Sequence, residues 1–126
     1  MLSTDHSPYA NGHSKFDDAF EALRASYYKR MRNDRASLLA IHAELLHGAT
    51  ELTSVYYTIR MLAHRIGGAA AIFECPGSAA AAATLERSAL QAIESNTKEA
   101  REGVIRALES LLGSIAEPRP DNTLAL

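Results

Sequence analysis

The stretch LTSVYYTIRMLAHRIGGAAAIF, residues 52 to 73, decides the fold class because its large apolar residues recur in steps of three and four. This spacing places them along one face of an α-helix. The apolar seam consists of Leu52, Val55, Ile59, Leu62, Ile66, Ala69 and Phe73. His64 falls about 180° from the centre of that seam. We therefore predict that His64 points out of the helical core.

The outer face around His64 combines two adjacent glycines with a few larger side chains. Its members are Tyr57, Arg60, Met61, Gly67, Gly68 and Ala71, with Arg65 on one flank. Each glycine inside a helix lowers stability by about 0.5 to 1 kcal/mol relative to alanine. Bulky side chains at positions 67 and 68 would block access to the imidazole, so we predict that the glycines keep it accessible to a large partner. Close packing of the glycines against another helix is the alternative.

Two helices are predicted before this stretch. Apolar residues at helical spacing mark the first, from Lys15 to about Met31. The polar run RNDR, residues 32 to 35, interrupts the pattern, and Asp34 is a good N-cap for a second helix that ends near His47. Gly48 suits the position after the helix end, and Thr50 can cap the helix that carries His64.

Two further helices are predicted after it. Pro76 suits the first turn of a helix that ends near Glu94, and Asn96 with Glu99 resembles a capping box for the last helix. The core residues of that last helix are predicted to be Val104, Leu108, Leu111 and Ile115.

The short connections between these segments favour an all-α fold, since no stretch alternates with a period of two. Consecutive helices joined by a few residues pack as antiparallel neighbours. We predict an up-and-down antiparallel four-helix bundle with an additional N-terminal helix, spanning residues 14–116. Residues 1–13 and 117–126 are predicted to be disordered tails, because they are polar and lack periodicity.

Composition narrows the function classes. A chain of 126 residues suits one domain, and its net charge of -2 does not favour nucleic acid as a partner. The single cysteine, Cys75, cannot form an intrachain disulfide, and no histidine stands at a spacing that suits a metal site with it. Without a signal sequence or a membrane-spanning stretch, we expect a soluble, cytoplasmic monomer that contacts no membrane.

The residues around His64 resemble the core motif of histidine-containing phosphotransfer domains. The motif appears as His64, Arg65, Ile66, Gly67, Gly68, Ala69, Ala70 and then Phe73, and the pair Leu85-Glu86 falls where members of the family often have the same two residues. The resemblance spans roughly residues 34 to 115. Gly67 stands where many members carry a lysine, and Glu74 where a glycine is common.

The resemblance implies a phosphoryl carrier in a multistep two-component phosphorelay. His64 would accept a phosphoryl group from a receiver-domain aspartate, on the ring nitrogen remote from the backbone, and pass it to another receiver. The chain would bind no cofactor or metal, because the receiver carries the Mg²⁺, and it would have no kinase activity. Its partners would be response-regulator receivers and a hybrid histidine kinase.

The other outer-face residues take supporting roles in this interpretation. Arg60 and Arg65 are candidates for attracting the phosphoryl group, and Tyr57, Met61 and Ala71 would form a docking rim. Two alternatives belong to other classes. One is a helical module that binds a receiver or kinase without phosphotransfer, and the other is a purely structural dimeric bundle, which predicts a large apolar outer patch.

Overall fold

A computed structural model describes residues 8–48 and 51–115, with only the backbone described for residues 8–14. Four α-helices make up this part of the chain, which contains no strand. They are α1 (Pro8–Leu46), α2 (Leu52–Ile72), α3 (Pro76–Ser95) and α4 (Lys98–Ser114). The predicted all-α class is confirmed. The predicted C-terminal tail lies outside the described residues.

Helix α1 corrects the predicted N-terminal organisation. It runs unbroken for 39 residues, so residues 32 to 35 do not separate two helices and Asp34 is not an N-cap. The polar run stays helical because partners distant in sequence hold it. Asp34 accepts a hydrogen bond from Arg65, and Arg35 donates one to the carbonyl of Ile115. The predicted additional N-terminal helix is the first part of α1, which already begins at Pro8.

In the turn before α2, the predicted position of Gly48 after a helix end is confirmed, and Glu51 is the residue directly before α2. Gly48 has a φ of 75°, the left-handed conformation that favours glycine after a helix end. Glu51 is the residue that precedes α2, and its side chain makes no capping hydrogen bond. The predicted cap, Thr50, lies outside the described residues.

The predicted start of α3 is confirmed, whereas the predicted start of α4 is wrong. Pro76 occupies the first turn of α3, as predicted. Asn96 does not begin α4, because it adopts a left-handed conformation that ends α3. Thr97 is the N-cap of α4 instead, and its hydroxyl accepts a hydrogen bond from the amide of Ala100.

The chain divides into two compact units, one up to Arg30 and one from Met31 onward. The second unit contains most of the buried apolar residues. Helix α3 packs against both α2 and α4. The core of the second unit includes Leu38, Leu45, Ile59, Ile66, Leu85, Ala89, Val104, Leu108 and Leu111. The predicted core residues of the last helix are all buried.

The buried face of α2 differs from the predicted seam by a rotation of about 40°. Tyr56, Ala63 and Ala70 are buried, whereas the predicted seam residues Leu52 and Phe73 are only half-buried. Burial raises the pKa of the Tyr56 phenol, and the nearby positive charge of Arg101 acts in the opposite direction. The rotation matters for the outer face, because it brings one side of that face closer to α3.

None of the four helices, within the part of the chain that is described, has an apolar stretch long enough to cross a bilayer.

Candidate functional site

His64 lies in the middle of α2 on its outer surface. Its side chain is 79% exposed, which confirms that it points away from the core. The backbone beneath it is fixed, because the adjacent Ala63 and the nearby Leu62 and Ile66 are buried. A rigid helix therefore presents an imidazole that a partner protein can reach.

One ring nitrogen of His64 is held by a carboxylate from the next helix. The distance from Nδ1 to Oε2 of Glu86 on α3 is 3.1 Å. A carboxylate only accepts hydrogen bonds, so Nδ1 of the neutral ring carries the proton and donates a hydrogen bond to Glu86. The other nitrogen, Nε2, then keeps its lone pair. It has no hydrogen-bond partner among the described residues.

Glu86 is the site residue that sequence reasoning missed. In the sequence, the pair Leu85-Glu86 is a likeness to the phosphotransfer family that predicts no role for Glu86. In the structure Leu85 is fully buried, and this anchors α3 so that the next residue emerges beside α2. The carboxylate is itself half-buried, with 31% of its side chain exposed. The signal available in the sequence was a carboxylate directly after a core leucine.

The two glycines of the outer face have different surroundings. Gly68 is exposed, and a Cβ added there would meet no atom within 4 Å. A Cβ at Gly67 would lie 3.4 Å from Cβ of Ala82 on α3, an ordinary van der Waals contact. The predicted open side of His64 is thus formed by Gly68. The prediction that Gly67 also faces outward is wrong, because the rotated buried face turns Gly67 toward α3.

The two arginines near His64 also differ. Arg65 donates from Nη2 to Oδ1 of Asp34, at 2.6 Å, and the Asp34 side chain is only 5% exposed. This ion pair ties α2 to α1 on the side of α2 away from α3. Arg60 lies one turn before His64, is exposed, and has no hydrogen bond or ion pair with the described residues. Arg60 is therefore the arginine that remains available near the imidazole.

The predicted docking rim is exposed. Tyr57 and Met61 each have more than half of their surface accessible, and Ala71 is also exposed. Ile72 on α2 and Leu90 on α3 add apolar surface that the sequence analysis did not assign. The imidazole thus lies among apolar side chains that could be buried against a flat partner surface.

A groove among the described residues lies away from His64. This shallow groove of about 330 Å³ is lined by Ser88, Gln91, Thr97, Gly103 and Arg106 among others, and it shares no residue with this face. The described residues contain no group of three or more His, Cys, Asp or Glu side chains placed to hold a metal ion.

No family model, curated protein or solved structure matches this chain.

Proposed function

We propose that this chain is a histidine phosphotransfer protein of a multistep two-component phosphorelay, and that Nε2 of His64 carries the phosphoryl group. The observation that supports this most is the hydrogen bond from Nδ1 to Glu86. It leaves the remote nitrogen unprotonated and exposed, which is the state a nucleophile needs.

The chemical step follows from this arrangement. The lone pair of Nε2 attacks the phosphorus of an acyl phosphate on a receiver aspartate, so an N–P bond forms as the O–P bond breaks and the aspartate leaves as a carboxylate. The ring then carries a phosphoryl group on Nε2 and a proton on Nδ1, and therefore a positive charge. The Glu86 carboxylate, 3.1 Å from Nδ1, offsets that charge, as a triad aspartate does for its histidine.

The remaining requirements of phosphoryl transfer belong to the partner. Transfer depends chiefly on alignment of the reacting groups and on stabilisation of the phosphoryl charge. The receiver would supply Mg²⁺ for the second task, and Arg60 would add a positive charge one turn from His64. Arg65 keeps Asp34 neutralised, so in this proposal its role is to position α2 rather than to bind phosphate.

The fold proposed for this function is an up-and-down antiparallel four-helix bundle. Two pairs of contacts support opposite directions for α1 and α4, since Arg35 meets Ile115 and His42 meets Glu109. For α2 and α3, the contacts of His64 with Glu86 and of Gly67 with Ala82 support the same relation. We place the protein in the cytoplasm, where receivers and the soluble parts of hybrid kinases act.

This direction of α3 also supports a docking surface that spans two helices. Met61 lies one turn before His64, and Leu90 lies one turn after Glu86. If the helices run in opposite directions, Met61 and Leu90 lie on the same side of the His64–Glu86 pair. The receiver would then contact α2 and α3 together, with the imidazole at the centre of a transient interface.

One observation favours the non-catalytic alternative, in which the chain binds a receiver or kinase without phosphotransfer. Position 67 has no side chain, and Arg65 is engaged by Asp34, so Arg60 is the one cation on this face that we assign to the phosphoryl group.

Phosphotransfer from a labelled receiver separates the two functions. The purified chain is mixed with phosphorylated receivers of its own organism in Mg²⁺, and we expect an acid-labile, base-stable label on the wild type. His64→Gln should lose the label, whereas the matched variant His42→Gln should keep it. A wild type that binds a receiver but takes no label would support the binding module and contradict the carrier.

A further inference from the structure

We draw no further inference here: the strongest candidate, the apolar stripe that exposes Phe16 and Leu23 on the part of α1 before Met31, carries none because nothing in the structure shows what covers it.

Discussion

Among the described residues, two histidine–glutamate pairs bridge helices, and they differ in which ring nitrogen is bonded. On the α2–α3 side, Nδ1 of His64 lies 3.1 Å from Glu86 and the imidazole is 79% exposed. On the α1–α4 side, Nε2 of His42 lies 2.9 Å from Glu109 and the imidazole is 20% exposed. In the neutral rings, the same two residue types therefore leave the lone pair on opposite nitrogens.

The difference teaches that exposure and tautomer together distinguish the histidine that we propose as the nucleophile from His42. His42 directs its remote nitrogen into the ion pair, so its lone pair is on Nδ1, beside its own backbone. His64 directs the near nitrogen into the pair and leaves the remote one to solvent. A receiver active site approaching the surface could meet the lone pair of His64 but not that of His42.

The largest expected effect is on stability. It distinguishes Arg65, which positions α2, from Arg60, which lies near His64. Arg65→Ala leaves the Asp34 carboxylate buried without its partner, so we expect the free energy of unfolding to fall by about 2 to 3 kcal/mol. This is less than for a fully buried pair, because Arg65 itself is half-exposed. Urea unfolding followed by circular dichroism measures the loss.

Arg60→Ala is the matched control for Arg65→Ala. Its stability should change by less than about 0.5 kcal/mol, since Arg60 is exposed and makes no hydrogen bond or ion pair with the described residues. Phosphotransfer should slow in Arg60→Ala and remain near the wild-type rate in the folded fraction of Arg65→Ala. The reverse pattern would mean that Arg65 serves the phosphoryl group.

The next effect is on the phosphotransfer rate, and it compares the carboxylates of Glu86 and Glu109. Glu86→Ala frees the His64 ring to rotate and to change tautomer, so we expect phosphotransfer about 10-fold slower. Glu86→Gln should recover only part of the rate, because an amide oxygen can still accept from Nδ1 but lacks the negative charge that offsets the charge of the phosphorylated ring. Rapid-quench phosphotransfer gives the rates, and ¹⁵N spectra of the imidazole give the tautomer.

Glu109→Ala provides the control on the other side of the molecule. It should leave the phosphotransfer rate unchanged, although it breaks the pair with His42. Equal losses of rate in Glu86→Ala and Glu109→Ala would indicate that both pairs act only through stability, and the distinction between them would then fail.

The smallest effect concerns the adjacent glycines. Gly68→Ala should stabilise the protein by about 0.5 to 1 kcal/mol through helix propensity, and slow transfer a few-fold because the methyl group narrows the open side of His64. Gly67→Ala should gain at least as much stability, since its methyl group would make an ordinary van der Waals contact with Ala82, and it should leave transfer unchanged. Thermal unfolding and transfer rates of both variants check this, and slower transfer in Gly67→Ala alone would contradict the assignment.

Local patterns in the sequence were sufficient to predict α2, α3, α4 and the exposure of His64, whereas they predicted two helices where α1 is one. The spacing of large apolar residues gives the core faces of α3 and α4 directly, because residues such as Leu85 and Leu111 are buried wherever the helix packs. Gly48 and Pro76 mark helix ends through their own backbone preferences, which do not depend on the rest of the fold.

The features that could not be predicted depend on contacts between distant residues. In the sequence, residues 32 to 35 resemble a loop. They are helical in the structure, where Arg65 and the carbonyl of Ile115 are their hydrogen-bond partners. Buried alanines rotate the core face of α2, and small residues give weak periodicity, so the position of Gly67 could not be read from spacing. Glu86 meets His64 only after two helices pack, 22 residues apart in sequence.

The most direct test of the central claim is to find which nitrogen carries the phosphoryl group. The chain is labelled with ¹⁵N in its histidine rings, phosphorylated by a receiver, and examined by ³¹P–¹⁵N correlation spectroscopy. We predict that phosphorus couples to Nε2 of His64, while Nδ1 keeps its proton. Phosphorus on Nδ1 of His64, on His42 or on no histidine would contradict the account.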